Sequence, residues 1–319
     1  MAFPNISDIL ATTIESRTRR IADNVSKNNA LLMRLKQRGK IKTFSGGHKI
    51  YQELSFAENS NKGWYSGYDT LSVGAADVIS AAEYEIKQAA VPVVISGLEM
   101  LQNAGREQMI DLMEGRLTVA EATLANLISD GLYSDGTGSA GKEITGLDAA
   151  VPVTNTNTYG GINRSSYSFW QNQVNDDTGI TSSTIQAAWN ELWANCIRGS
   201  DRPDLILVDN NSWALYVASL QAQQRFMSPD VGQLGFPSLK FFDADVVLDG
   251  GIGGFCPAGS GFFLNTDYIH YRPHSQRNMV SLSPNRRYAT NQDAEVQILA
   301  WAGNLTCSGA QFQGRWDNN

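Results

Sequence analysis

A long helical pattern that ends in a glycine-rich turn is the feature that most constrains how this chain folds. Apolar positions in residues 96–131 recur at the spacing of one helix face. They are Met109, Met113, Leu117, Ala120, Leu124 and Leu127. A continuous helix over this range would be about 54 Å long, because each residue adds ~1.5 Å. Such a rod is too long for a small domain to cover, so other segments must lie along it.

The start of this helix and one point inside it carry local signals. Ser96 and Glu99 have the spacing of a capping box, in which each side chain bonds the other residue's backbone amide. Pro92 prevents the helix from beginning much earlier. Gly105 predicts a bend or a break, since glycine inside a helix costs on the order of 1 kcal/mol relative to alanine.

The composition excludes several classes of protein. The chain has 319 residues, of which 42% are hydrophobic and 18% charged, as in globular proteins of one large or two modest domains. No apolar run approaches the roughly 20 residues of a membrane span, and the N-terminus lacks the layout of a secretory signal. Cys196, Cys256 and Cys307 show no disulfide or zinc spacing, so we expect reduced, cytosolic thiols.

Charge is unevenly distributed along the chain, whose formal net charge is −7. Residues 1–50 contain ten Lys and Arg against three acidic side chains, a net charge of +7, so the remainder carries −14. Residues 7–38 have a helical pattern with a thin apolar stripe, which predicts an arm that packs on a neighbouring molecule. The basic side chains of this arm could bind nucleic acid, but we favour a solvated face or ion pairs with the acidic body. They include Arg17, Arg19, Arg20 and Lys27.

The turn after the long helix carries a motif. Residues 135–138 read Asp-Gly-Thr-Gly, and a Gly-Leu pair follows at Gly146 and Leu147. This arrangement resembles the tailed-bacteriophage major capsid proteins of the Hong Kong 97-type fold, in which a long spine helix commonly runs into such a turn. The order of the other segments extends the resemblance over most of the chain.

The resemblance implies an α+β protein with four parts: an N-terminal arm, an extended two-stranded loop, a peripheral (P) domain with the spine helix, and an axial (A) domain with a central sheet. The corresponding ranges are 1–45 for the arm, 46–92 for the loop, 93–178 with 273–319 for the P domain, and 179–272 for the A domain. In that family the A domains gather at the centres of pentamers and hexamers.

The loop region is predicted from its turn residues and aromatic side chains. Residues 49–56 read as a strand and residues 70–73 as its return, with a polar tip between them. Trp64, Tyr65 and Tyr68 lie in this tip, and aromatic residues are enriched at interfaces. We therefore predict that the three rings contact an adjacent subunit, as the extended loop does in the family. The alternative is an ordinary hairpin tip that packs on its own domain.

The pattern after the turn predicts a small α/β domain and a closing strand. The predicted elements are a helix at 181–198, a buried strand at 205–208, a helix capped by Asn211 or Ser212, and strands at 240–248, 261–264 and 268–272. A long strand at 295–307 should return to the sheet beside the long helix. Residues 83–95 read as an extended lead into that helix.

Three patterns that look like chemical sites are interpreted as structural. Residues 136–142 spell G-x-x-x-x-G-K, but a phosphate-binding loop follows a strand and continues with Ser or Thr, whereas here a helix precedes and Glu143 follows. His270 and His274 are four residues apart, which suits a metal only on a helix, and their surroundings read as a strand. Lys62 lies where some capsid proteins of this fold carry a cross-linking lysine. No matching partners are found here, so we interpret it as a solvated charge.

The resemblance implies a major capsid subunit that self-assembles as pentamers and hexamers into an icosahedral phage head around double-stranded DNA. The expected location is the virion, with assembly in the cytoplasm of the host bacterium. We predict no catalytic, cofactor or metal site, no membrane and no sequence-specific DNA binding. Scaffold, portal and cement proteins would be the other partners. Two alternatives remain open: an encapsulin-like shell around protein cargo, and a cytosolic nucleotide-binding enzyme.

Overall fold

Two main sheets and the helices packed on them form the body of the protein. The computed structural model describes residues 29–102, 106–220, 238–250, 254–282, 287–288 and 293–318. The helices are α1 (Ala30–Gln37), α2 (Gly97–Gln102), α3 (Arg106–Gly131), α4 (Gly138–Gly141), α5 (Leu147–Ala150), α6 (Ile185–Asn195) and α7 (Asn210–Leu220). The predicted mixture of helix and sheet is confirmed.

The strands run through both halves of the chain. They are β1 (Lys49–Ser55), β2 (Ile79–Glu85), β3 (Lys87–Ser96), β4 (Thr158–Tyr159), β5 (Ile162–Asn163), β6 (Gln173–Asp177), β7 (Leu205–Val208), β8 (Ser238–Phe241), β9 (Ala244–Leu248), β10 (Ser260–Leu264), β11 (Ile269–Pro273), β12 (Val280–Ser281), β13 (Arg287–Tyr288), β14 (Ala294–Cys307) and β15 (Gly314–Asn318). β1 with β2 and β4 with β5 form two separate hairpins.

The closing strand β14 organises the five-stranded sheet. It pairs antiparallel with β3 over ten positions, from Ala294 opposite Ser96 to Gly303 opposite Lys87. β11, β12 and β13 pair with other parts of β14. α3 packs against β3 and β14. The prediction that a long final strand returns beside the long helix is therefore confirmed.

The six-stranded sheet has the order β6-β15-β10-β7-β9-β8. Its strand β7 is buried along its whole length, as predicted. Because side chains alternate across a sheet, Leu205 and Leu207 enter a core shared with the five-stranded sheet. Ile206 and Val208 enter a second core, together with side chains of α6 and α7. The sheet thus lies between two cores, one of which joins it to the rest of the chain.

The predicted 54 Å rod is wrong, because the chain reverses between two helices. α2 ends at Gln102 and α3 begins at Arg106, and Gly105 itself lies outside the described residues. The Arg116 guanidinium of α3 is 2.6 Å from the Glu99 carboxylate of α2. Along one straight helix these residues would be about 25 Å apart, far beyond the reach of two side chains. The predicted break is confirmed, and α3 alone is about 39 Å long.

The capping box predicted at the start of α2 is present. The Glu99 amide donates to Ser96 Oγ at 3.3 Å, and the Ser96 amide donates to the Glu99 carboxylate at 3.2 Å. The Arg116 guanidinium, followed by the Ser96 amide, lowers the pKa of Glu99 to about 2. The same three groups therefore begin one helix and tie it to the next.

The buried face of α3 matches the prediction up to its last turn. Leu117, Ala120 and Leu124 are buried, but Leu127 is 48% exposed and Ile128 is buried in its place. At 100° per residue, Ile128 lies about 20° from Leu117 around the helix and Leu127 about 80° away. Two other predicted positions have side chains outside the described residues: Met109 and Met113.

The end of the arm packs on its own chain, which corrects the prediction that the arm packs on a neighbour. Leu31 and Leu35 of α1 are fully buried, because they enter a core that other elements build. Arg34 forms ion pairs with Asp204 at 3.0 Å and Asp245 at 3.2 Å. Arg34 thus pairs with the acidic body, although the prediction named other basic residues. The four basic residues singled out earlier lie outside the described residues: Arg17, Arg19, Arg20 and Lys27.

Two local predictions in the second half of the chain are wrong. The strand predicted at 240–248 is a hairpin of β8 and β9, which turns at Phe242 with a φ of 50°. The alternation of apolar and polar residues in this range did not reveal the reversal. α7 is capped by Asp209, whose carboxylate accepts the amides of Asn211 at 3.3 Å and Ser212 at 3.0 Å. The cap is therefore not Asn211 or Ser212.

The sheets cross the predicted boundaries of the P and A domains. β6 and β15 lie in ranges assigned to the P domain, but they belong to the six-stranded sheet. β11 lies almost entirely in the range assigned to the A domain, but it pairs with β14. The pattern of a strand does not identify its partner, so these memberships were not predictable. The division into P and A domains stays a prediction. Within it, β6 and β15 go with the six-stranded sheet and β11 goes with the five-stranded sheet.

Candidate intersubunit surface

The loop that carries the predicted contact residues is the tip of the β1–β2 hairpin. The two strands pair over seven positions, from Lys49 opposite Glu85 to Ser55 opposite Ile79. The Phe56 amide then donates to the Val78 carbonyl at 3.1 Å. The first strand was predicted correctly, but the return strand begins at Ile79 and not at residue 70. The loop is therefore longer than predicted, because residues 70–78 belong to it.

The base of the hairpin is attached to the body by buried contacts. Tyr84 donates its hydroxyl to the Cys307 carbonyl of β14 at 2.8 Å. The Glu83 amide donates to the Gly160 carbonyl at 2.9 Å. The Asn304 side chain, fully buried in β14, donates to the Glu85 carbonyl at 2.8 Å. These bonds fix where the hairpin leaves the body.

The tip is closed by its own polar groups. The Asn61 side chain donates to the Gly74 carbonyl at 2.7 Å and accepts the Ser72 hydroxyl at 3.1 Å. The Ser66 amide donates to the Asp69 carboxylate at 2.8 Å. Two sides of the loop are thereby joined across 13 residues. The tip has a defined shape without help from the body of its own chain.

The three predicted contact residues are exposed on this tip. Relative exposure is 103% for Trp64, 67% for Tyr65 and 107% for Tyr68. No contact of these rings with another ring occurs in the described part of the chain. The alternative, in which the tip packs on its own domain, is therefore excluded for Trp64 and Tyr68. Large exposed apolar patches mark interaction sites, so three exposed aromatic side chains within residues 64–68 make this tip a candidate for one.

The prediction missed further apolar residues of the same surface. Leu71, Val73 and Ile79 are 55%, 92% and 72% exposed. Residues 70–73 were predicted to form the return strand, but they belong to the loop. The signal against that reading was Gly74 with two alanines after it, since glycine and alanine are depleted in strands. Lys62 is exposed and pairs with Glu58 of the same tip, which fits the solvated charge that we expected.

The turn after α3 is held by close backbone approaches. Gly136 has a φ of 80°, which favours glycine. A Cβ on Gly146 would lie 2.4 Å from the Leu132 carbonyl oxygen. The Gly146 amide donates to the Ser134 carbonyl at 3.0 Å, and the Leu147 amide donates to the Leu132 carbonyl at 2.7 Å. The glycines of this motif thus allow the chain to double back on the end of α3.

The same geometry argues against a phosphate site in residues 136–142. The Glu143 carboxylate accepts the hydroxyls of Ser134 at 2.8 Å and Ser139 at 2.9 Å, so it occupies the loop. Ser139 and Ala140 have positive φ angles, so α4 does not present the run of amides of a helix N-terminus. A carboxylate held in the loop would repel a bound phosphate.

The two histidines do not share a ligand position. His270 lies in β11 and His274 just after it, about 13 Å apart at ~3.3 Å per residue. Burial, followed by Lys42 and Arg272, lowers the pKa of His270 to about 4. The ring of His274 packs edge-on against Phe44 at 5.0 Å. Among the described residues, no group of three His, Cys, Asp or Glu side chains is placed to hold a metal ion.

The cysteines offer no reactive thiolate. All three are free, and burial raises the pKa of Cys196 to about 12 and that of Cys307 to about 11. The pKa of Cys256 is also raised, first by burial and then by Asp249.

In the part of the chain that the structure describes, none of the helices combines the length and apolar character that a membrane crossing requires.

Comparison with known proteins identifies the fold. No family model and no curated protein matches this sequence. The capsid of cyanophage A-1(L) matches with 16% identity and a TM-score of 0.62, over 88% of this chain and 90% of that one. The capsid of the native GTA particle matches with 12% identity and a TM-score of 0.60, over 89% of both chains.

A third match has the same extent. The capsid of the Myoviridae phage XM1 is 15% identical with a TM-score of 0.54, over 89% of this chain and 92% of that one. These structures agree with the present one along nearly their whole length, so the likeness is not limited to one sheet. The chain has the capsid fold of the Hong Kong 97 type that its sequence resembles.

Proposed function

We propose that this chain is the major capsid protein of a tailed bacteriophage. It self-assembles as pentamers and hexamers into an icosahedral head that encloses double-stranded DNA. The observation that carries the proposal is the agreement of almost the entire chain with phage and GTA capsid structures. Those structures favour the phage head over an encapsulin-like compartment. The location is the virion capsid, with assembly in the host bacterial cytoplasm.

The charge distribution supports a container rather than a nucleic-acid-binding protein. Residues 51–319 carry a net charge of −14, and Arg34, Arg38 and Lys40 of the arm pair with carboxylates of the body. A surface that bound many phosphates would hold DNA with a strong salt dependence and resist its packing and release. We propose that the shell encloses the DNA without sequence-specific binding.

A non-enzymatic role is supported by the Glu143 carboxylate in the G-x-x-x-x-G-K loop and by the raised thiol pKa values. Neither feature offers a nucleophile or a phosphate cradle at neutral pH. We assign the chain no catalytic residue and no cofactor. Scaffold, portal and cement proteins are the further partners that such a head would use.

The loop tip is the proposed contact with an adjacent subunit, through Trp64, Tyr65 and Tyr68. Full burial of one tryptophan covers about 150–250 Å², worth roughly 4–6 kcal/mol at ~25 cal/mol per Å² as an upper limit. Ordering of side chains at the interface reduces this, so a net 1–3 kcal/mol per contact is a realistic magnitude. Repeated over every subunit of a shell, such a contact decides whether the shell is stable.

Expression of the chain, alone and with its candidate scaffold, tests the function directly. Negative-stain electron microscopy and sedimentation should show rings, tubes or shells, because the exposed loop tip needs a neighbour. Calorimetry with ATP and magnesium should show no binding. A species that stays monomeric under all conditions, scaffold included, would overturn the capsid proposal.

A further inference from the structure

Within the described part of the chain, one buried arginine has no carboxylate partner. Arg164 directly follows strand β5, and the whole residue is buried. Its guanidinium, which carries five N–H groups, makes one hydrogen bond, from Nη2 to the Ala150 carbonyl at 2.5 Å. Nε and Nη1 are also buried, and neither has a hydrogen-bond partner. The side chain of Arg164 therefore has donors that the described residues leave unused.

A second buried arginine shows what is missing around the first. Arg315 is also almost completely buried, and its guanidinium lies over the Phe262 ring at 4.3 Å. It pairs with the Asp148 carboxylate at 2.7 Å. The guanidinium of Arg164 lies over the Tyr159 ring at 4.8 Å in a similar way, but no carboxylate among the described residues reaches it. The two arginines thus differ in whether a negative charge accompanies them.

The titratable groups that act on Arg164 are uncharged at neutral pH. Burial lowers the pKa of Arg164, and the groups that act against this effect are Tyr159, Cys307 and Tyr84. Burial raises the pKa of each of these three, that of Cys307 to about 11, so none of them is an anion at pH 7. Arginine itself stays protonated in proteins. The described residues therefore leave the positive charge of Arg164 uncompensated.

A buried charge without a partner is unfavourable. Buried charges in proteins are normally paired and hydrogen-bonded, because removal of an isolated ion from water costs more than a cation–π contact returns. A buried water molecule can accept an N–H group, but it brings no charge. A small anion accepts several N–H groups and also neutralises the guanidinium.

The surroundings of Arg164 restrict such an anion to a small one. The Tyr159 ring beside the guanidinium contacts the rings of Tyr84 at 5.4 Å and Trp170 at 5.9 Å. The backbone is held as well, because the Gln171 side chain donates to the Arg164 carbonyl at 2.8 Å. A multivalent oxyanion such as phosphate would bring more charge into this closed, aromatic environment than one guanidinium neutralises.

We propose that Arg164 binds a monovalent anion of the size of chloride through the free N–H groups of its guanidinium. The anion stabilises the place where the β1–β2 hairpin joins the body, because Tyr159 packs against Tyr84 of β2. This inference goes beyond the capsid function, since it concerns the folded subunit itself.

Thermal unfolding of the full-length subunit tests the site. Sodium chloride replaces sodium gluconate at constant ionic strength, because gluconate is too large for a closed site. The unfolding temperature should rise with chloride by about 2 °C or more and then level off, as for a ligand that binds only the folded chain. Anomalous scattering from crystals grown in bromide should place an ion within hydrogen-bond distance of the Arg164 guanidinium.

Two variants separate this site from general effects of salt. Arg164→Met removes the cation and keeps an unbranched stem, so its unfolding temperature should not depend on chloride. Arg198→Met is the matched control, because Arg198 also lies over a ring, that of Phe312 at 4.2 Å, but is exposed and pairs with Asp201. This control should keep the whole chloride response.

The proposal is wrong if the wild-type subunit unfolds at the same temperature in both salts, or if Arg164→Met keeps the chloride response. If Arg164→Met does not fold, the bromide position decides: an ion at Arg164 supports the site, and no ion there overturns it. Neither measurement depends on whether the chain assembles, so failure of this proposal and failure of the capsid function are distinguishable.

Discussion

The turn after α3 and the tip of the β1–β2 hairpin are both rich in Gly and Ser, yet they differ in how their apolar side chains are covered. In the turn, the Glu143 carboxylate accepts the hydroxyls of Ser134 and Ser139, backbone groups bond one another, and Leu147 is fully buried. In the hairpin tip, Asn61 closes the loop, but Trp64 and Tyr68 are completely exposed. Composition alone would place both in the same class of loop.

The difference predicts which segments contribute to folding of the subunit and which contribute to its assembly. A segment whose apolar side chains are covered by its own chain contributes to the stability of the subunit. A segment with a defined shape and uncovered aromatic rings contributes only when a neighbour arrives. Changes in the first kind of segment should therefore lower the unfolding temperature of the subunit, and changes in the second should lower that of the particle.

Deletion of α1 gives the largest expected effect and tests the rule on a third segment. Removal of residues 1–42 should destabilise the subunit by more than about 4 kcal/mol or prevent folding, because Leu31 and Leu35 are fully buried. Removal of residues 1–28 leaves α1 intact and is the matched control. Denaturant unfolding of both variants is the measurement. If the longer deletion left the stability of the subunit normal, the burial of Leu31 and Leu35 would not show that α1 contributes to folding.

Substitution of a turn glycine comes second. Gly146→Ala should cost about 3 kcal/mol or more, because the new Cβ would meet two backbone carbonyls that cannot move independently. Gly141→Ala is the control: no atom lies within 4 Å, and only its φ of 76° opposes the change, at about 1 kcal/mol. Thermal unfolding compares the two. If both substitutions lowered the stability equally, the backbone of the turn could move to accept the new Cβ, and the turn would not be a tightly packed segment.

Truncation of the loop aromatic residue comes third. Trp64→Ala should leave the unfolding of the isolated subunit unchanged and reduce the stability of the particle by about 1–3 kcal/mol per contact. Tyr167→Ala, at a half-exposed ring outside the loop, should change neither quantity much. Heat or denaturant resistance of purified particles is compared with subunit unfolding. If Trp64→Ala lowered the stability of the isolated subunit, the hairpin tip would pack on its own chain. The difference between the tip and the turn after α3 would then disappear.

The smallest effect is expected for the lysine of the G-x-x-x-x-G-K sequence. Lys142→Ala should leave particle yield unchanged, because Lys142 is exposed and the loop is held by Glu143. Calorimetry with ATP and magnesium should show no binding before or after the change. Micromolar binding that the substitution abolishes would give the turn a chemical role and favour the enzyme alternative.

The sequence was sufficient where neighbours along the chain create the structure. The Ser96–Glu99 capping box, the buried strand β7 and the doubling back at Gly146 each depend on a few consecutive residues. The exposed rings of Trp64 and Tyr68 were also predictable, because the residues around them are polar and cannot cover them. Their partner on another subunit stays a prediction.

The sequence failed where the partner is distant. Arg116 and Glu99 are 17 residues apart, and only their ion pair reveals that the chain reverses between α2 and α3. β15 and β6 are short, and their patterns do not show that they join the same sheet. The arm was misjudged for a related reason: its thin apolar stripe looked too weak for a core, but the core it enters is built by other elements.

The β1–β2 hairpin has a mechanical consequence. Seven paired positions carry its tip about 20 Å from its base, so it acts as a lever on that base. A pull on the tip is transmitted to the bonds of Tyr84 and Glu85 with β14. Since β14 also pairs with β3 along ten residues, the load passes directly into the strand that leads into α2. In a shell of such subunits, internal pressure would load β14, because each hairpin would pull on the subunit that its tip contacts.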